Sequence, residues 1–122
     1  MNDLQSSGIR GQIGERCTAR YLRDNGYEII GANYHTRFGE IDIIATKGKY
    51  IAFVEVKTRG QKSKVTPAEA VDANKQEKLR KTTLIYLSKN ETQLQPRFDV
   101  VEVILNSNDE IVSINHIENA FE

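Results

Sequence analysis

The chain has 122 residues, 39% of them hydrophobic and 28% charged, which suits one soluble globular domain with one hydrophobic core. No apolar run approaches the roughly 20 residues of a membrane span, and Met1 to Arg10 carries no apolar core of the signal-peptide kind, so a cytoplasmic protein without a membrane partner is expected. The single cysteine, Cys17, excludes an internal disulfide, and a net charge of zero means that bulk charge does not announce a nucleic-acid binder.

The first predicted element is a helix from Ile9 to Asn25. Ile13, Cys17 and Tyr21 recur at four-residue spacing, and Glu15, Ala19 and Leu22 form a second stripe. Asn25-Gly26 is a helix stop, because Gly accepts the left-handed conformation. An edge strand is predicted over Glu28 to Tyr34, followed by a turn at Arg37-Phe38-Gly39. Glu40 to Thr46 is a β-branched run, Lys47-Gly48 a tight turn, and Lys49 to Thr58 the most apolar strand of the chain. Arg59 to Val65 reads as a polar loop. Thr66-Pro67-Ala68-Glu69 then reads as a helix start, with Thr66 capping, Pro67 at the first helical position and Glu69 completing a capping box. A short turn ends near Asp72, and the helix continues to Ser88 with Leu79, Thr83, Tyr86 and Leu87 inward. Arg97 to Leu105 is the last strong strand, and Ile111 to Ile117 can add another. The order α-β-β-β-α-β predicts an α/β layer fold with a mixed central sheet flanked by helices. Residues 1–122 form one domain, with 1–7 and 118–122 as tails.

Charge is unevenly placed. From Lys57 to Lys81 there are eight Lys or Arg against three acids, whereas from Asp99 to Glu122 there are six acids and no Lys or Arg. A basic segment is what a polyanion seeks; a solvated helix face is the alternative.

Two strands carry acids where strands rarely do. Residues i and i+2 of a strand share a face, which pairs Glu40 with Asp42 and Glu55 with Lys57. The turn at Lys47-Gly48 makes the two strands antiparallel neighbours, with the register left open by the sequence. Carboxylates crowded at a hairpin end are costly unless paired or metal-bound. A Mg²⁺ or Mn²⁺ ion on Asp42 and Glu55 would relieve that cost and activate water, and Lys57 could orient that water or meet the charge developing on a phosphate. An ordinary Glu55–Lys57 ion pair beside an exposed Asp42 is the alternative reading.

Three segments extend this pattern: Gly39-Glu40-Ile41-Asp42-Ile43-Ile44-Ala45, Phe53-Val54-Glu55-Val56-Lys57-Thr58-Arg59 and Arg97-Phe98-Asp99-Val100-Val101. Together with Gly14-Glu15, Pro67-Ala68-Glu69-Ala70-Val71 and Lys75-Gln76, they closely resemble the YraN-like family of small bacterial proteins, in the same order from Gly11 to Val103. That family is similar to compact members of the PD-(D/E)XK nuclease superfamily, which includes restriction enzymes and Holliday-junction resolvases. The resemblance implies a restriction-endonuclease-like core and a catalytic set of Asp42, Glu55 and Lys57. Ile41 stands where the superfamily pattern has proline. The resolvase-like members further imply that Glu15 on the first helix reaches the metal region; a helix acid favoured by the macrodipole is the alternative.

Arg37, Arg59, Lys62 and Lys64 surround the site in sequence and would meet phosphates without reading bases. Lys75 and Gln76 can contact the site or a substrate phosphate, or serve as boundary residues. Glu40 is a further ligand or a cover for the hairpin mouth. Asp99 reads as a structural ion-pair partner, and His35 and His116 as surface or strand-end residues, too far apart in sequence for a zinc site. The leading expectation is a Mg²⁺- or Mn²⁺-dependent endonuclease acting on nucleic acid, DNA before RNA, with branched DNA and a homodimer suggested by the resolvase resemblance. The alternatives are a nucleic-acid-binding module that does not cut and a protein-interaction domain on a nuclease fold.

Overall fold

The computed structural model describes residues 3–61 and 71–122, and side chains from Gly8 onward within them. Among these residues the elements are α1 (Asp3–Asp24), β1 (Glu28–Thr36), β2 (Gly39–Lys47), β3 (Tyr50–Gly60), α2 (Ala73–Lys89), β4 (Gln95–Leu105) and β5 (Ile111–Phe121). The expected α-β-β-β-α-β order is present, extended by a fifth strand. The capping box expected at Thr66 to Glu69 lies outside the described residues. The described helix begins under Asp72, where the expected short turn ends, and the Asp72 carboxylate accepts from Lys75 N at 2.9 Å.

The five strands form one mixed sheet in the order β1-β2-β3-β4-β5. β3 and β4 run parallel across the α2 crossover, and every other neighbour pair is antiparallel. Lys47 pairs with Tyr50 across a two-residue turn in which Gly48 takes a φ of 57°, a conformation that turns of this type require and that Gly adopts without a Cβ penalty.

Side-chain alternation on β3 and β4 splits the interior into two cores. Ala52, Val54, Val101 and Val103 pack with Leu22 of α1. Ile51, Phe53 and Val100 pack with Leu79 of α2 on the opposite face. Each fully buried large aliphatic side chain contributes roughly 1.5–3 kcal/mol, so both helices are held by apolar burial. Leu79 and Thr83 are buried, and Tyr86 and Leu87 pack against the same core, as the helical spacing predicts. α1 stops as expected: Tyr27 N donates back to Leu22 O at 2.9 Å and Gly26 N to Arg23 O at 3.1 Å.

Two expectations are corrected at the chain ends. α1 starts at Asp3 rather than Ile9. Residues 118–121 are not a tail: β5 runs to Phe121, whose ring stacks on Phe98 with centroids 4.9 Å apart. Apolar stacking and strand pairing order a segment whose acidic composition reads as solvated. No helix among the described residues is long and apolar enough to cross a membrane.

Candidate metal and nucleic-acid site

β3 carries the α2-side face forward from Ile51 and Phe53 to Glu55 and then Lys57. Glu55 is only 5% exposed, yet it is a carboxylate. Its Oε1 lies 3.0 Å from Lys75 Nζ on α2 and 3.6 Å from Lys57 Nζ on its own strand. Two ammonium groups thus offset one buried charge. The Asp72 cap starts α2 where its first turn sets Lys75 over the end of β3.

Asp42 reaches the same place by a break in the sheet. The β2–β3 ladder runs from Lys47–Tyr50 to Ile43–Val54 and ends there. Beyond it Val56 N donates to Asp42 Oδ2 at 2.8 Å, a side chain standing in for a backbone acceptor. On the other flank the β1–β2 ladder passes from Ala32–Ile43 to Tyr34–Ile41, and Asn33 between them has a φ of 52°. The facing of β2 changes over this step: Ile43 belongs to the α1-side core, but Ile41 belongs to the α2-side core with Ile44. The carboxylate at the reversal opens to both sides. It lines a cavity of about 340 Å³ with Glu40, Glu55, Lys75 and Lys78, and a second of about 320 Å³ with Gln12, Glu15, Arg16 and Arg23. Asp42 and Glu55 therefore share one cavity, although period-two spacing along β2 does not hold through residue 42.

The electrostatics are those of an under-compensated acid cluster. Burial, then the charge of Glu55, pushes the Asp42 carboxyl from 3.8 up to about 7, against the pull of the Val56 hydrogen bond; Glu15 and Glu40 add to the rise. Glu15 is raised by burial and by the charges of Glu40 and Glu55, which places it in the same field. Burial and the neighbouring Lys75 charge hold Lys57 below the usual lysine range, with Glu55 opposing. Burial alone would lower Lys75, but Glu55 reverses the sign and raises it.

Among the described residues no three His, Cys, Asp or Glu side chains gather into a ready-made metal cage. Mg²⁺ does not require one. It takes one or two carboxylates and completes its octahedron with water and substrate oxygens. A hard carboxylate pair, one member raised to about 7 by burial and by its acidic neighbours, fits such an ion.

Glu15 arrives through a close approach. A Cβ at Gly14 would overlap Thr58 Oγ1, so only glycine lets this turn of α1 lie against β3. Glu40 lines the α2-side cavity and lies 3.4 Å from His35 Nε2. Arg37 is exposed on the β1–β2 turn, its guanidinium 4.8 Å from the Phe38 ring centre. Arg59 is placed otherwise than its position after Lys57 suggests: it sits against Glu102 of β4 at 3.4 Å and is largely covered. Gln76 donates to Val71 O at 2.9 Å and accepts from Arg80 at 3.2 Å, which bolts down the start of α2. Lys62 and Lys64 lie outside the described residues.

Some residues escaped the sequence reading. Lys78 lines the cavity with Lys75, and their i, i+3 spacing on one helix was the available signal. His116 is corrected from surface to interior: its side chain is 6% exposed, with Nε2 2.7 Å from Asp99 Oδ2 and Nδ1 3.2 Å from the Tyr21 hydroxyl. Asp99 is structural, as expected, and completely buried. It accepts two bonds from Arg97 at 2.8 Å and one from Asn119 N at 3.0 Å, and Arg97 also donates to the Tyr27 hydroxyl at 2.6 Å. Nothing local in the sequence marks His116, because its partner stands on the adjoining strand.

Residues 14–103 match the family model described as "Uncharacterised protein family UPF0102". A UPF0102 protein of Caldanaerobacter subterraneus subsp. tengcongensis is 46% identical over 113 residues, covering 91% of this chain and 93% of the relative. A UPF0102 protein of Alkaliphilus oremlandii is 47% identical over 114 residues, covering 91% and 96%. One from Clostridium acetobutylicum is 42% identical over 113 residues, covering 92% and 93%. Similarity of this extent, over about nine-tenths of the chain and through the segments that build the site, means that the chain belongs to the UPF0102 family, the YraN-like family of its sequence resemblance.

Proposed function

We propose that this protein hydrolyses phosphodiester bonds of nucleic acid, with DNA the first substrate to test, using Mg²⁺ or Mn²⁺ held by Asp42 and Glu55. The observation that carries the reading is the shared cavity at the end of the β2–β3 ladder, where the two carboxylates meet with Lys57 3.6 Å from Glu55. When bound, the cation supplies Lewis acidity toward a phosphate oxygen and lowers the pKa of a water. The protein's part is positioning. The Val56 N–H fixes one oxygen of Asp42, Lys75 fixes Glu55, and Lys57 sits where it can orient water or meet charge developing on the phosphate. Glu15 adds negative field from the α1 side, which favours holding a cation at Asp42.

The test is incubation with linear duplex, single-stranded and four-way-junction DNA in Mg²⁺ or Mn²⁺. Metal-dependent strand cleavage is expected, reduced about 10²–10³-fold by Lys57→Ala and absent in Asp42→Asn with the fold intact by circular dichroism. No cleavage by the parent chain with either metal, or equal cleavage by Asp42→Asn, would overturn the proposal. Preference for the junction substrate would extend it toward resolvase-like action, for which the resemblance is the only present support.

A further inference from the structure

α1 carries a stripe of arginines that the proposed chemistry leaves unused. Arg16, Arg20 and Arg23 stand at four- and three-residue spacing, which puts them on one helix face. All three are exposed. None has an ion-pair partner among the described residues, whereas Arg10 pairs with Asp109, Arg59 with Glu102, Arg80 with Glu77 and Arg97 with Asp99. Like charges one turn apart repel, so three of them on one face with no ion-pair partner among the described residues leave a positive ridge, with Asp24 the acid that shares a groove with Arg16 and Arg20.

The ridge leads somewhere. Arg16 and Arg23 border the cavity on the α1 side of the sheet into which Asp42 and Glu15 also open. At 1.5 Å rise per residue, Arg16 to Arg23 covers roughly 10 Å, about three nucleotide steps of 3.4 Å measured along a duplex axis. Guanidinium groups bind phosphate oxygens bidentately and are easily desolvated, which suits a backbone contact that carries no base information. The proposed cleavage site therefore has basic groups on both sides of the sheet: Lys75 and Lys78 of α2 on one, the α1 ridge on the other.

We infer that the Arg16–Arg20–Arg23 face of α1 is a second phosphate track, holding the nucleic-acid backbone as it leaves the Asp42–Glu55 cavity. Nucleic acid as the occupant rests on the proposed function; the ridge, its lack of ion-pair partners among the described residues and its path to Asp42 do not.

The track is tested by fluorescence anisotropy of the full chain on labelled duplex and single-stranded DNA in EDTA, across a salt series, so that binding is read without cleavage. Arg20→Ala/Arg23→Ala is the variant, because it removes two charges of the ridge and leaves Arg16, the chain neighbour of Glu15, in place. Lys49→Ala/Lys89→Ala, two exposed lysines elsewhere on the surface, matches its change in charge. The arginine variant should bind roughly tenfold or more weakly, and the slope of log K against log salt on duplex should shrink by about 2, one for each phosphate no longer neutralised. The lysine control should change neither by a comparable amount. No DNA binding by the parent, an unchanged slope in the arginine variant, or an equal weakening in the lysine control would each overturn the track. The same proteins are then assayed with Mg²⁺ and Mn²⁺. Binding that depends on the arginines without cleavage by the parent would sink the hydrolytic proposal and keep the track. Cleavage by the parent with unaltered KM in the arginine variant would do the reverse.

Discussion

Two carboxylates in the same sheet are treated in opposite ways. Asp99 on β4 is completely buried, and every bond it makes is to a positive or donating group: Arg97 twice, His116 and Asn119 N. Burial alone would raise its carboxyl, but the hydrogen bonds from His116 and Arg97 outweigh it and hold the group below the usual carboxylate range. Asp42 on β2 receives one backbone N–H and faces Glu55, Glu15 and Glu40, and its carboxyl rises to about 7. A charge that serves the fold is compensated within the fold. A charge that burial and neighbouring acids outweigh, with only one backbone donor of its own, is the arrangement that the proposed divalent cation would complete.

The sharpest way to break the comparison is to remove the compensated acid. Asp99→Ala would leave Arg97 and His116 buried without their partner and should cost on the order of 3–5 kcal/mol in urea unfolding. A loss under about 1 kcal/mol would show that the network is not what ties β5 and Tyr27 to the sheet.

The opposite sign is expected at the open site. Between pH 3.8 and about 7 the folded chain keeps a proton on Asp42 that the unfolded chain releases, so this group's contribution to stability falls as pH rises through that window and is flat above it. Asp42→Asn retains an acceptor for Val56 N but has nothing to ionise. Without divalent cations it should be more stable than the parent at about pH 8, by on the order of 1–3 kcal/mol, with the difference vanishing toward pH 4. Asp99 runs the other way, its contribution present above the usual carboxylate pKa and lost as acid protonates it. A parent chain that gains stability from pH 5 to 8 with Asp42→Asn showing no advantage would sink this account. Added Mg²⁺ or Mn²⁺ should raise the parent's Tm more at high pH than at low pH, and should leave Asp42→Asn unmoved.

A smaller effect should follow from the helix approach that serves the open site. Gly14→Ala forces α1 off Thr58 and should cost about 1–3 kcal/mol. Thr58→Ala in the same chain should recover much of that loss, because it removes the oxygen the new Cβ meets. Failure of the second change to rescue would mean that the strain lies elsewhere. The smallest effect should come from Asp72→Ala, which removes the α2 cap and should cost about 1 kcal/mol by thermal unfolding. It should also loosen Lys75 over Glu55, which is read as weaker metal-dependent cleavage.

Much of the molecule is written locally. The apolar runs and their turns placed four strands and two helices in order and offered the fifth strand as an addition, because hydrophobic periodicity and Gly-containing turns are short-range signals. Period-two spacing on β3 correctly put Glu55 and Lys57 on one face with Ile51 and Phe53, and the family resemblance singled out Asp42, Glu55 and Lys57. Tertiary structure decided the rest. On β2 the same spacing put Glu40 with Asp42, and they do share a cavity, but Ile41 and Ile43 fall in opposite cores, a change of facing that depends on how β1, β2 and β3 pair and is invisible to either strand alone. Arg59 and His116 went to Glu102 and Asp99, partners that become neighbours only when β3 and β5 line up on β4. The physical reason is range: a pattern of side chains can specify which face of its own element is buried, but whether a charge is answered depends on groups brought from distant parts of the chain by packing.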